Sequence, residues 1–385
     1  MRLNTISPDF ISNDGGPSYA CQSLLEGMSA AGLDVSLYGV SCENVGYKPF
    51  FRLSMPLWAK PIGYKLFSED TWKKYTEWRY LRSLQDGDLA YLWPGTSIDT
   101  YKAIQSSGHV LLTENVNTHQ ATCKKILDAE YQRLGLIPDH GIGERRIAEE
   151  FKRLELVDYV FSPSPEVTKS LLSAEVPNEK IIQTSYGCYE NSILLPEEVT
   201  SRANRTDLTA IFVGRLGIRK GVHLLLDYWT KAGVKGKLKL VGNIEPSARH
   251  LIEPYLGRHG IEHVPFTLDL RSLYLDADVF LFPSLEEGSP LVTYLALGAG
   301  LPSIVSPMGG GGIINDGFEG LVLDPHDADA WIDSIRKIFS DAEFRLKIST
   351  NAYSKSSEYL WSNVGRRRVE SLRAALANRV NHNHS

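Results

Sequence analysis

The sequence predicts an α/β protein made of two doubly wound parallel sheets that follow one another along the chain. Three observations predict this fold class. Short β-type runs alternate with longer helical patterns. A polar stretch without periodicity, residues 194–205, separates two such series. The length of 385 residues also exceeds what one hydrophobic core usually supports.

The two series divide the chain into two predicted domains, an N-terminal one at residues 1–195 and a C-terminal one at residues 206–357. A helix is predicted at residues 17–31, and the second series restarts with the apolar run "TAIFV". The other predicted strands are residues 3–6, 35–40, 89–93, 110–114, 159–162, 237–241, 279–283, 302–305 and 320–323.

Composition excludes several classes of protein. A formal net charge of -5 argues against a nucleic-acid binder, because such proteins usually present a basic surface. The four cysteines form no CxxC pair, which predicts a reducing compartment without disulfides or a zinc site. The N-terminus lacks a signal-type apolar core, and no apolar run approaches the roughly 18 residues of a membrane span. We therefore expect a cytoplasmic protein.

Open α/β sheets bind ligands at the carboxyl ends of their strands, so the turns after strands are the candidate sites. After the first strand, Gly15 and Gly16 allow close backbone approach, and Pro17 suits the first turn of the next helix, whose free N–H groups could face an anion. A plain tight turn remains the alternative.

The second candidate turn is "IFVGRLGIRKGVHLLL". Arg215 follows a strand directly, and Lys220 lies at the start of the next helix, so both cations can approach one point beside that helix N-terminus. Two cations and a helix dipole suit a diphosphate. The turn matches neither GxGxxG nor the GKS/GKT of a nucleoside triphosphatase loop. A solvated basic turn is the alternative.

The third candidate is the loop in "DVFLFPSLEEGSPLVTYL", between a buried strand and a helix that begins near Pro290. A carboxylate would repel phosphate here, so Glu287 is assigned to accepting hydrogen bonds from sugar hydroxyls. Acidic capping of the helix N-terminus is the alternative. The aspartates at 276 and 278 in "LDADVF" precede a buried strand, and a helix-to-strand junction explains them better than a metal-binding pair.

Together these three turns resemble the retaining glycosyltransferases of the GT-B fold, specifically family four, the glycosyl transferases group 1. The segment "GLPSIVSPMGGGGIINDGFEGLVLDPHDADAW" is similar to the family's later strand, glycine turn and closing helix. The resemblance covers residues 208–340 with specific motifs and the first 200 residues more loosely. It implies two Rossmann-like domains that face a cleft.

The resemblance assigns roles to individual residues. It implies that Arg215 and Lys220 hold the donor diphosphate, that Gly15 and Gly16 pack against the same region, and that Glu287 contacts the transferred sugar. The remaining positions assigned to donor binding are Gly288, Ser289, Pro290, Leu291 and Val292.

One position departs from the family pattern. The family's second glutamate, which accepts hydrogen bonds from the nucleotide ribose, is Leu295 here, and counting from Glu286 instead gives Tyr294. Neither side chain is a carboxylate. Ribose binding must then be weaker, be supplied by another group, or be absent.

A fourth segment, "HVLLTENVNTHQATCKKIL", follows a strand of the N-terminal domain. Similar enzymes place a histidine beside the donor sugar, which makes His119 a catalytic candidate, with Asn117 and Glu114 as weaker ones. A structural histidine is the alternative. The resemblance further implies that the last helix, residues 358–380, packs back on the first domain.

These inferences predict a metal-independent, retaining hexosyltransferase that needs no cofactor. Its donor would be a UDP- or GDP-sugar, and its acceptor a glycan or lipid-linked glycan in cell-surface polysaccharide or glycolipid biosynthesis. Leu295 motivates the alternative of an inactive nucleotide-sugar-binding subunit, and a sugar-nucleotide epimerase of the same architecture is a third hypothesis.

The stretch at residues 47–82 interleaves Lys and Arg with Trp, Tyr and Phe in an otherwise acidic chain. Such a surface could rest on anionic lipid headgroups at the inner face of the plasma membrane. The alternative is an insertion whose aromatic side chains are buried.

Overall fold

A computed structural model of the protein describes residues 1–12, 15–43, 47–202 and 205–382. Two parallel sheets form its framework, as the sequence predicts, and every strand predicted above is present to within one residue at each end. We call the seven-stranded sheet with its helices the N-lobe and the six-stranded sheet with its helices the C-lobe.

The N-lobe sheet has the strand order β5-β3-β1-β6-β7-β8-β9, and all its pairings are parallel. A small pair, β2 and β4, lies outside this sheet. The strands are β1 (Arg2–Ile6), β2 (Phe10–Ile11), β3 (Asp34–Gly39), β4 (Ser41–Cys42), β5 (Phe51–Leu53), β6 (Leu89–Leu92), β7 (Val110–Glu114), β8 (Tyr159–Ser162) and β9 (Ile181–Gln183).

Helices connect most of these strands, because parallel pairing needs a crossover connection. They are α1 (Gly16–Ala30), α2 (Lys60–Leu66), α3 (Glu69–Leu81), α4 (Ile98–Ser106), α5 (Gln120–Arg133), α6 (Glu144–Leu156) and α7 (Pro165–Ser173). A short helix, α8 (Pro196–Thr200), lies in the stretch between the two sheets. The predicted linker also includes residues 203–204, which lie outside the described residues.

The C-lobe sheet has the order β12-β11-β10-β13-β14-β15 and is also parallel. Its strands are β10 (Thr209–Val213), β11 (Lys237–Val241), β12 (Ile261–Val264), β13 (Val279–Phe282), β14 (Ser303–Val305) and β15 (Gly320–Val322). Its helices are α9 (Val222–Ala232), α10 (Arg249–Ile252), α11 (Leu270–Asp276), α12 (Leu291–Gly298), α13 (Pro307–Gly310), α14 (Ala328–Ser340) and α15 (Ala342–Ser356).

The last helix, α16 (Trp361–His382), crosses from the C-lobe and packs on α1 of the N-lobe. The crossing is close, because a Cβ atom added at Gly27 or Gly365 would overlap the backbone of the other helix. Arg368 and Glu114 form a fully buried ion pair in this contact, with Nη1 2.9 Å from Oε2 and Nη2 3.0 Å from Oε1. Helix α16 is therefore part of the N-lobe core.

A cluster of charged side chains also joins the two lobes directly. The buried carboxylate of Glu130, on α5, accepts hydrogen bonds from Nε2 of His223 at 2.5 Å and from Nε2 of His326 at 2.7 Å, both in the C-lobe. Arg133 donates to the same carboxylate at 2.6 Å. Burial acts to raise the pKa of Glu130, but these three partners outweigh it and hold the pKa well below its ordinary value.

No helix in the described ranges combines the length and the apolar character that crossing a membrane requires.

Candidate functional site

The turn between β10 and α9 lies directly against the loop that follows β13. Gly221 has a positive φ of 66°, and a Cβ atom there would overlap the carbonyl oxygen of Pro283. The N–H of Leu285 donates to the carbonyl of Arg219 at 2.9 Å. This packing brings the ammonium of Lys220 into contact with Oε1 of Glu287.

The two cations predicted to hold a diphosphate have different surroundings. Lys220 is mostly buried and already has a carboxylate partner; burial lowers its pKa, although Glu287 acts in the opposite direction. Arg215 is 72% exposed, and its Nε lies 3.9 Å from Oε1 of Glu245. The structure thus brings Lys220 to Glu287 and leaves Arg215 at the surface. Their joint role in holding a diphosphate stays a prediction.

The neighbouring carboxylate, Glu286, connects the two lobes. It is completely buried, and its Oε1 accepts hydrogen bonds from the N–H of Thr118 at 3.1 Å and from its hydroxyl at 2.6 Å. Its Oε2 lies 2.6 Å from Nη2 of Arg219. Burial opposes the charge of Arg219, but Glu286 and then Glu287 outweigh it and raise the pKa of the guanidinium.

Sequence reasoning missed the contact between Thr118 and Glu286. The only local signal for this contact is that Glu286 and Glu287 are consecutive. Glu287 alone was assigned to the sugar, so a separate role for Glu286 could have been suspected. The partner, Thr118, is 168 positions away. The following residue, Gly288, also touches the N-lobe, because a Cβ atom there would overlap the carbonyl of Val116.

Helix α12 begins at this lobe contact. Pro290 is its N-cap, and no side chain caps the first N–H groups, those of Leu291 and Val292. These groups have no carbonyl partner within the helix, so they are free to face an anion. Ser289 Oγ lies 2.6 Å from the hydroxyl of Tyr294.

The two positions considered for ribose binding differ in their surroundings. Tyr294 is buried. Its hydroxyl accepts a hydrogen bond at 3.0 Å from the backbone N–H of Tyr186, which follows β9 of the N-lobe. Leu295 is only partly buried, like Leu291 and Val292. The partly exposed side chains of α12, those of Leu291, Val292 and Leu295, are therefore apolar. Tyr294 is part of the buried core.

The glycine pair lies at the N-terminus of α1. Gly15 and Gly16 have φ values of 106° and 77°, and Pro17 stands in the first helical turn. Apart from the adjacent residues of the chain, no atom in the described ranges lies within 4 Å of a Cβ atom built at either glycine. The preceding residues, 13–14, are outside the described ranges. The positive φ angles favour glycine at both positions.

His119 is the N-cap of α5 and is completely buried. Its Nδ1 accepts a hydrogen bond from the N–H of Ala121 at 3.2 Å, and its ring packs at 4.5 Å from the ring of Phe151. Its Nε2 lies 3.5 Å from Oε2 of Glu150. Burial lowers the pKa of His119 to about 4, so the imidazole is neutral at physiological pH. Its catalytic role stays a prediction.

Glu114 and Asn117, the weaker candidates of the same segment, have different surroundings in the structure. Glu114 is bound by Arg368 and by the hydroxyl of Tyr91, which gives it a structural role. Asn117 lines a cavity instead, and its carbonyl accepts a hydrogen bond from the side chain of Asn115 at 2.8 Å.

This cavity, of about 360 Å³, lies in the N-lobe at the carboxyl ends of β6 and β7. We call it the N-lobe pocket. Residues 115–118 form one wall, helix α6 forms the opposite wall, and Pro17 reaches it from the glycine turn. Because Thr118 belongs both to this wall and to the contact with Glu286, the N-lobe pocket adjoins the Lys220–Glu287 pair across the lobe contact.

Comparison with known proteins finds a family match that lies mainly in the C-lobe. Residues 197–355 match the family described as glycosyl transferases group 1. An uncharacterised glycosyltransferase of Methanocaldococcus jannaschii is 30% identical to this chain over 174 residues, which are 43% of this chain and 45% of that protein. The first curated relatives are thus matched over less than half of their length.

Solved structures of similar fold cover both lobes of this chain. Sucrose-phosphate synthase from Thermosynechococcus elongatus superposes with a TM-score of 0.71 at 21% identity, covering 98% of this chain and 99% of that one. The Anabaena protein HepE, crystallised with UDP and glucose, gives a TM-score of 0.68 at 14% identity, covering 97% and 100%. The predicted resemblance and the predicted fold class are therefore confirmed.

Proposed function

We propose that this protein is a retaining glycosyltransferase, which moves a hexose from a nucleotide sugar to a glycan or lipid-linked glycan in cell-surface polysaccharide or glycolipid biosynthesis. The observation that carries the proposal is the Lys220–Glu287 pair. It places one ammonium and one carboxylate beside the uncapped start of α12, where the two lobes meet. A sugar diphosphate needs both kinds of partner, cations for its phosphates and acceptors for its hydroxyls.

Charge stabilisation is the main catalytic contribution expected of this site. When the bond between the anomeric carbon and the phosphate oxygen breaks, its electron pair stays on the β-phosphate. Lys220, Arg215 and the free N–H groups of α12 supply positive charge for that oxygen. Lys220 and the N–H groups of α12 are in place before the reaction, so no metal ion is required in this scheme.

Glu287 exchanges partners when the donor binds. In the free protein it neutralises Lys220. A bound diphosphate takes the ammonium, and the carboxylate is then free to accept hydrogen bonds from the sugar hydroxyls. The acceptor hydroxyl attacks the same face that the phosphate leaves, and the departing phosphate takes its proton. The new glycosidic bond therefore retains the anomeric configuration.

A UDP-sugar is the first donor to test, because HepE, a protein of the same fold, was crystallised with UDP and with UDP-glucose. A thermal-shift screen across UDP-, GDP- and ADP-sugars should find one nucleotide series that raises Tm in proportion to affinity. Purified protein with that donor should then hydrolyse or transfer the sugar, and the product should have the anomeric configuration of the donor.

Lys220→Ala should lower the turnover of that reaction by two to three orders of magnitude, roughly the loss expected when a charge-stabilising donor is removed. Lys231→Ala is the matched control, because Lys231 lies on α9 itself and pairs with Asp227 at the surface. Equal turnover in Lys220→Ala and the unaltered protein would refute the site.

A catalytically inactive nucleotide-sugar-binding subunit is the second candidate function, and Leu295 favours it. Such a protein would give a thermal shift with a nucleotide sugar but neither hydrolysis nor transfer. Any turnover that Lys220→Ala abolishes would exclude this candidate.

We also propose that the protein contacts an anionic membrane through an aromatic face formed by α2, α3 and the turn before α2. Apolar side chains on this face are exposed, most strongly Trp58 at 82% and Leu66 at 68%. Tyr75 and Trp78 stack on each other at 5.7 Å. The aromatic side chains of residues 47–82 divide between two environments. Phe51 and Tyr80 are buried, as the alternative predicts, whereas the exposed set comprises Trp58, Ile62, Tyr64, Leu66, Phe67, Tyr75 and Trp78.

Aromatic side chains at such a position can enter the headgroup region while Lys and Arg attract anionic lipids. The protein should sediment with vesicles that contain phosphatidylglycerol, and added salt should weaken that binding. Trp58→Ser together with Trp78→Ser should abolish sedimentation. Absence of salt-sensitive binding in the unaltered protein would remove the membrane hypothesis.

A further inference from the structure

Two consecutive cations face two consecutive carboxylates where the turn after β10 meets the loop after β13. Nη2 of Arg219 lies 2.6 Å from Oε2 of Glu286, and the ammonium of Lys220 contacts Oε1 of Glu287. Nε of Arg219 also donates to the backbone carbonyl of Glu286 at 3.2 Å. We call Arg219–Glu286 the inner pair and Lys220–Glu287 the outer pair. The charges of the two pairs cancel.

The two pairs differ in what holds their carboxylates. Oε1 of Glu286 accepts hydrogen bonds from the N–H of Thr118 at 3.1 Å and from its hydroxyl at 2.6 Å. Among the described residues, the carboxylate of Glu287 is bound by Lys220 and by the hydroxyl of Ser284, at 3.4 Å, and both of these belong to the C-lobe. The inner pair is therefore bound to the N-lobe, whereas the outer pair is not.

The position of Glu286 affects the charge of Lys220. Burial lowers the pKa of Lys220, and Glu287 acts against this effect. Arg219 also lowers the pKa of Lys220, and Glu286 raises it. The two members of the inner pair thus act on Lys220 in opposite directions. A Glu286 carboxylate that turned from Arg219 toward Lys220 would hold the ammonium more strongly.

Thr118 prevents this change of partner. A buried carboxylate oxygen that loses its hydrogen bonds takes another donor, because an unsatisfied buried acceptor is costly. If the lobes separate, Oε1 of Glu286 loses both hydrogen bonds from Thr118. The ammonium of Lys220, the residue after Arg219, is then a donor in the same turn. Two carboxylates would hold Lys220, and a diphosphate would have to displace both.

The lobe contact around Thr118 is close. Gly288 lies two positions after Glu286, and Val116 lies two positions before Thr118. A Cβ atom at Gly288 would overlap the carbonyl of Val116, so the backbones of the two lobes meet directly. Hydrogen bonds weaken over a few tenths of an ångström, roughly the range between a good and a poor geometry. A small separation of the lobes therefore breaks the hydrogen bonds from Thr118 to Glu286.

We propose that the hydrogen bonds from Thr118 to Glu286 make Lys220 available to the donor diphosphate only while the two lobes are in contact. The proposal rests on the proposed function and names a regulation of the same site. Thr118, Glu286 and Arg219 are positioning residues in it, because they act through Lys220. With the lobes apart, the departing phosphate lacks this cation, and the donor is protected from hydrolysis.

The test is isothermal titration of the full chain with UDP and with inorganic pyrophosphate, which is a diphosphate without a nucleoside. Thr118→Val removes the hydroxyl but keeps the size of the side chain and the backbone N–H. It should weaken the binding of both ligands by about tenfold or more, the effect of losing a hydrogen bond to a charged group. Thr118→Ser keeps the hydroxyl and should bind both ligands within about threefold of the unaltered protein, because that bond is kept.

Thr168→Val is the matched control for Thr118→Val. Thr168 is also a buried threonine of the N-lobe, but its hydroxyl lies 2.8 Å from Oγ of Ser162 and donates to the carbonyl of Ser164 at 3.2 Å, both within that lobe. This variant should bind UDP and pyrophosphate as the unaltered protein does. Circular dichroism shows whether each variant is folded.

A double-mutant cycle separates positioning from a general loss of structure. Glu286→Gln keeps the shape of the side chain but removes the charge that could hold Lys220. In the Glu286→Gln background, Thr118→Val should therefore change each Kd by less than about twofold, because the two residues act as one unit. An equally large effect in both backgrounds would overturn the proposal. So would unchanged binding in Thr118→Val, equal weakening in Thr168→Val, or no binding of either ligand to the unaltered protein.

The outcome is separable from that of the proposed function. Donor hydrolysis and sugar transfer by the unaltered protein test the proposed function alone. A protein that turns over the donor, but whose Thr118→Val variant binds UDP and pyrophosphate normally, loses this inference only. A protein whose diphosphate binding depends on Thr118, but which neither hydrolyses nor transfers a sugar, loses the proposed function only.

Discussion

At the scale of single residues, Leu295 makes one face of α12 apolar where a carboxylate would serve a nucleotide ribose. Leu295→Glu should restore an acceptor for two ribose hydroxyls and tighten UDP binding by about tenfold, since a hydrogen bond to a charged group contributes about 1.5–3 kcal/mol. Isothermal titration with UDP measures it, with Leu295→Met as the apolar control. Unchanged or weaker UDP binding in a folded Leu295→Glu variant would place the ribose elsewhere.

Glu150 should make the stability of the fold fall as pH rises. Its pKa is raised from 4.5 to about 7 in the folded state. The folded chain therefore keeps this proton to a higher pH than the unfolded chain, and ionisation between these two values favours unfolding.

Glu150→Gln removes this penalty. We compare the free energy of unfolding of Glu150→Gln with that of the unaltered protein at pH 5 and at pH 8. The difference in favour of the variant should be about 2 kcal/mol larger at pH 8, because each pKa unit corresponds to about 1.4 kcal/mol. Urea unfolding at both pH values measures the difference. Glu149→Gln, at a more exposed position, should show no such gain, and an equal gain in both variants would contradict the assignment to Glu150.

The sequence predicts some residues of the candidate site and not others. Local spacing predicted that Lys220 and Glu287 lie in the turns after two neighbouring strands, and both do. It did not predict the contact between them, and their role in donor binding stays a prediction. The roles of Thr118 and Glu286 were not predictable, since their contact depends on how two separately folded sheets meet. The same holds for Glu114, which looks like a cleft residue until α16 brings Arg368 to it.

At the scale of elements, α16 depends on the buried pair of Arg368 and Glu114. Arg368→Met should lower the free energy of unfolding by about 3–5 kcal/mol, because it leaves Glu114 as an unpaired buried charge. The double variant Glu114→Gln, Arg368→Met should recover much of that loss. Urea unfolding measures both, and Arg366→Met is the control, because Arg366 is exposed on the same helix. A double variant no more stable than Arg368→Met would contradict this account.

Prediction of the strands from the sequence succeeded where strands are buried on both faces. Runs such as residues 279–282 are continuously apolar and therefore unambiguous. The strands that were not predicted in the two main sheets are β5, β9 and β12, and each lies at a sheet edge. Edge strands are partly solvated, and these have only three or four residues, so their hydrophobic pattern is weak.

At the scale of the whole molecule, Glu130 holds the two lobes together. Glu130→Ala removes the shared acceptor of His223 and His326 and should lower the free energy of unfolding by about 3 kcal/mol. The lobes should also separate more readily, which small-angle scattering detects as a larger radius of gyration.

Asp128→Ala is the matched control for Glu130. Asp128 lies on α5 too, but it pairs with Lys124 and His140, both within the N-lobe. A change in the radius of gyration that is the same in both variants would show that α5, and not the contact between the lobes, had been disturbed.

The position of α16 sets an order of events during synthesis. A nascent chain that has emerged only as far as residue 360 contains every strand of both sheets, yet its Glu114 has no guanidinium beside it and α1 has no helix across Gly27. The lobe that leaves the ribosome first is thus the last to be completed. Until α16 arrives, that lobe has an uncovered helix and an unneutralised carboxylate, and such incompletely packed states are prone to aggregation.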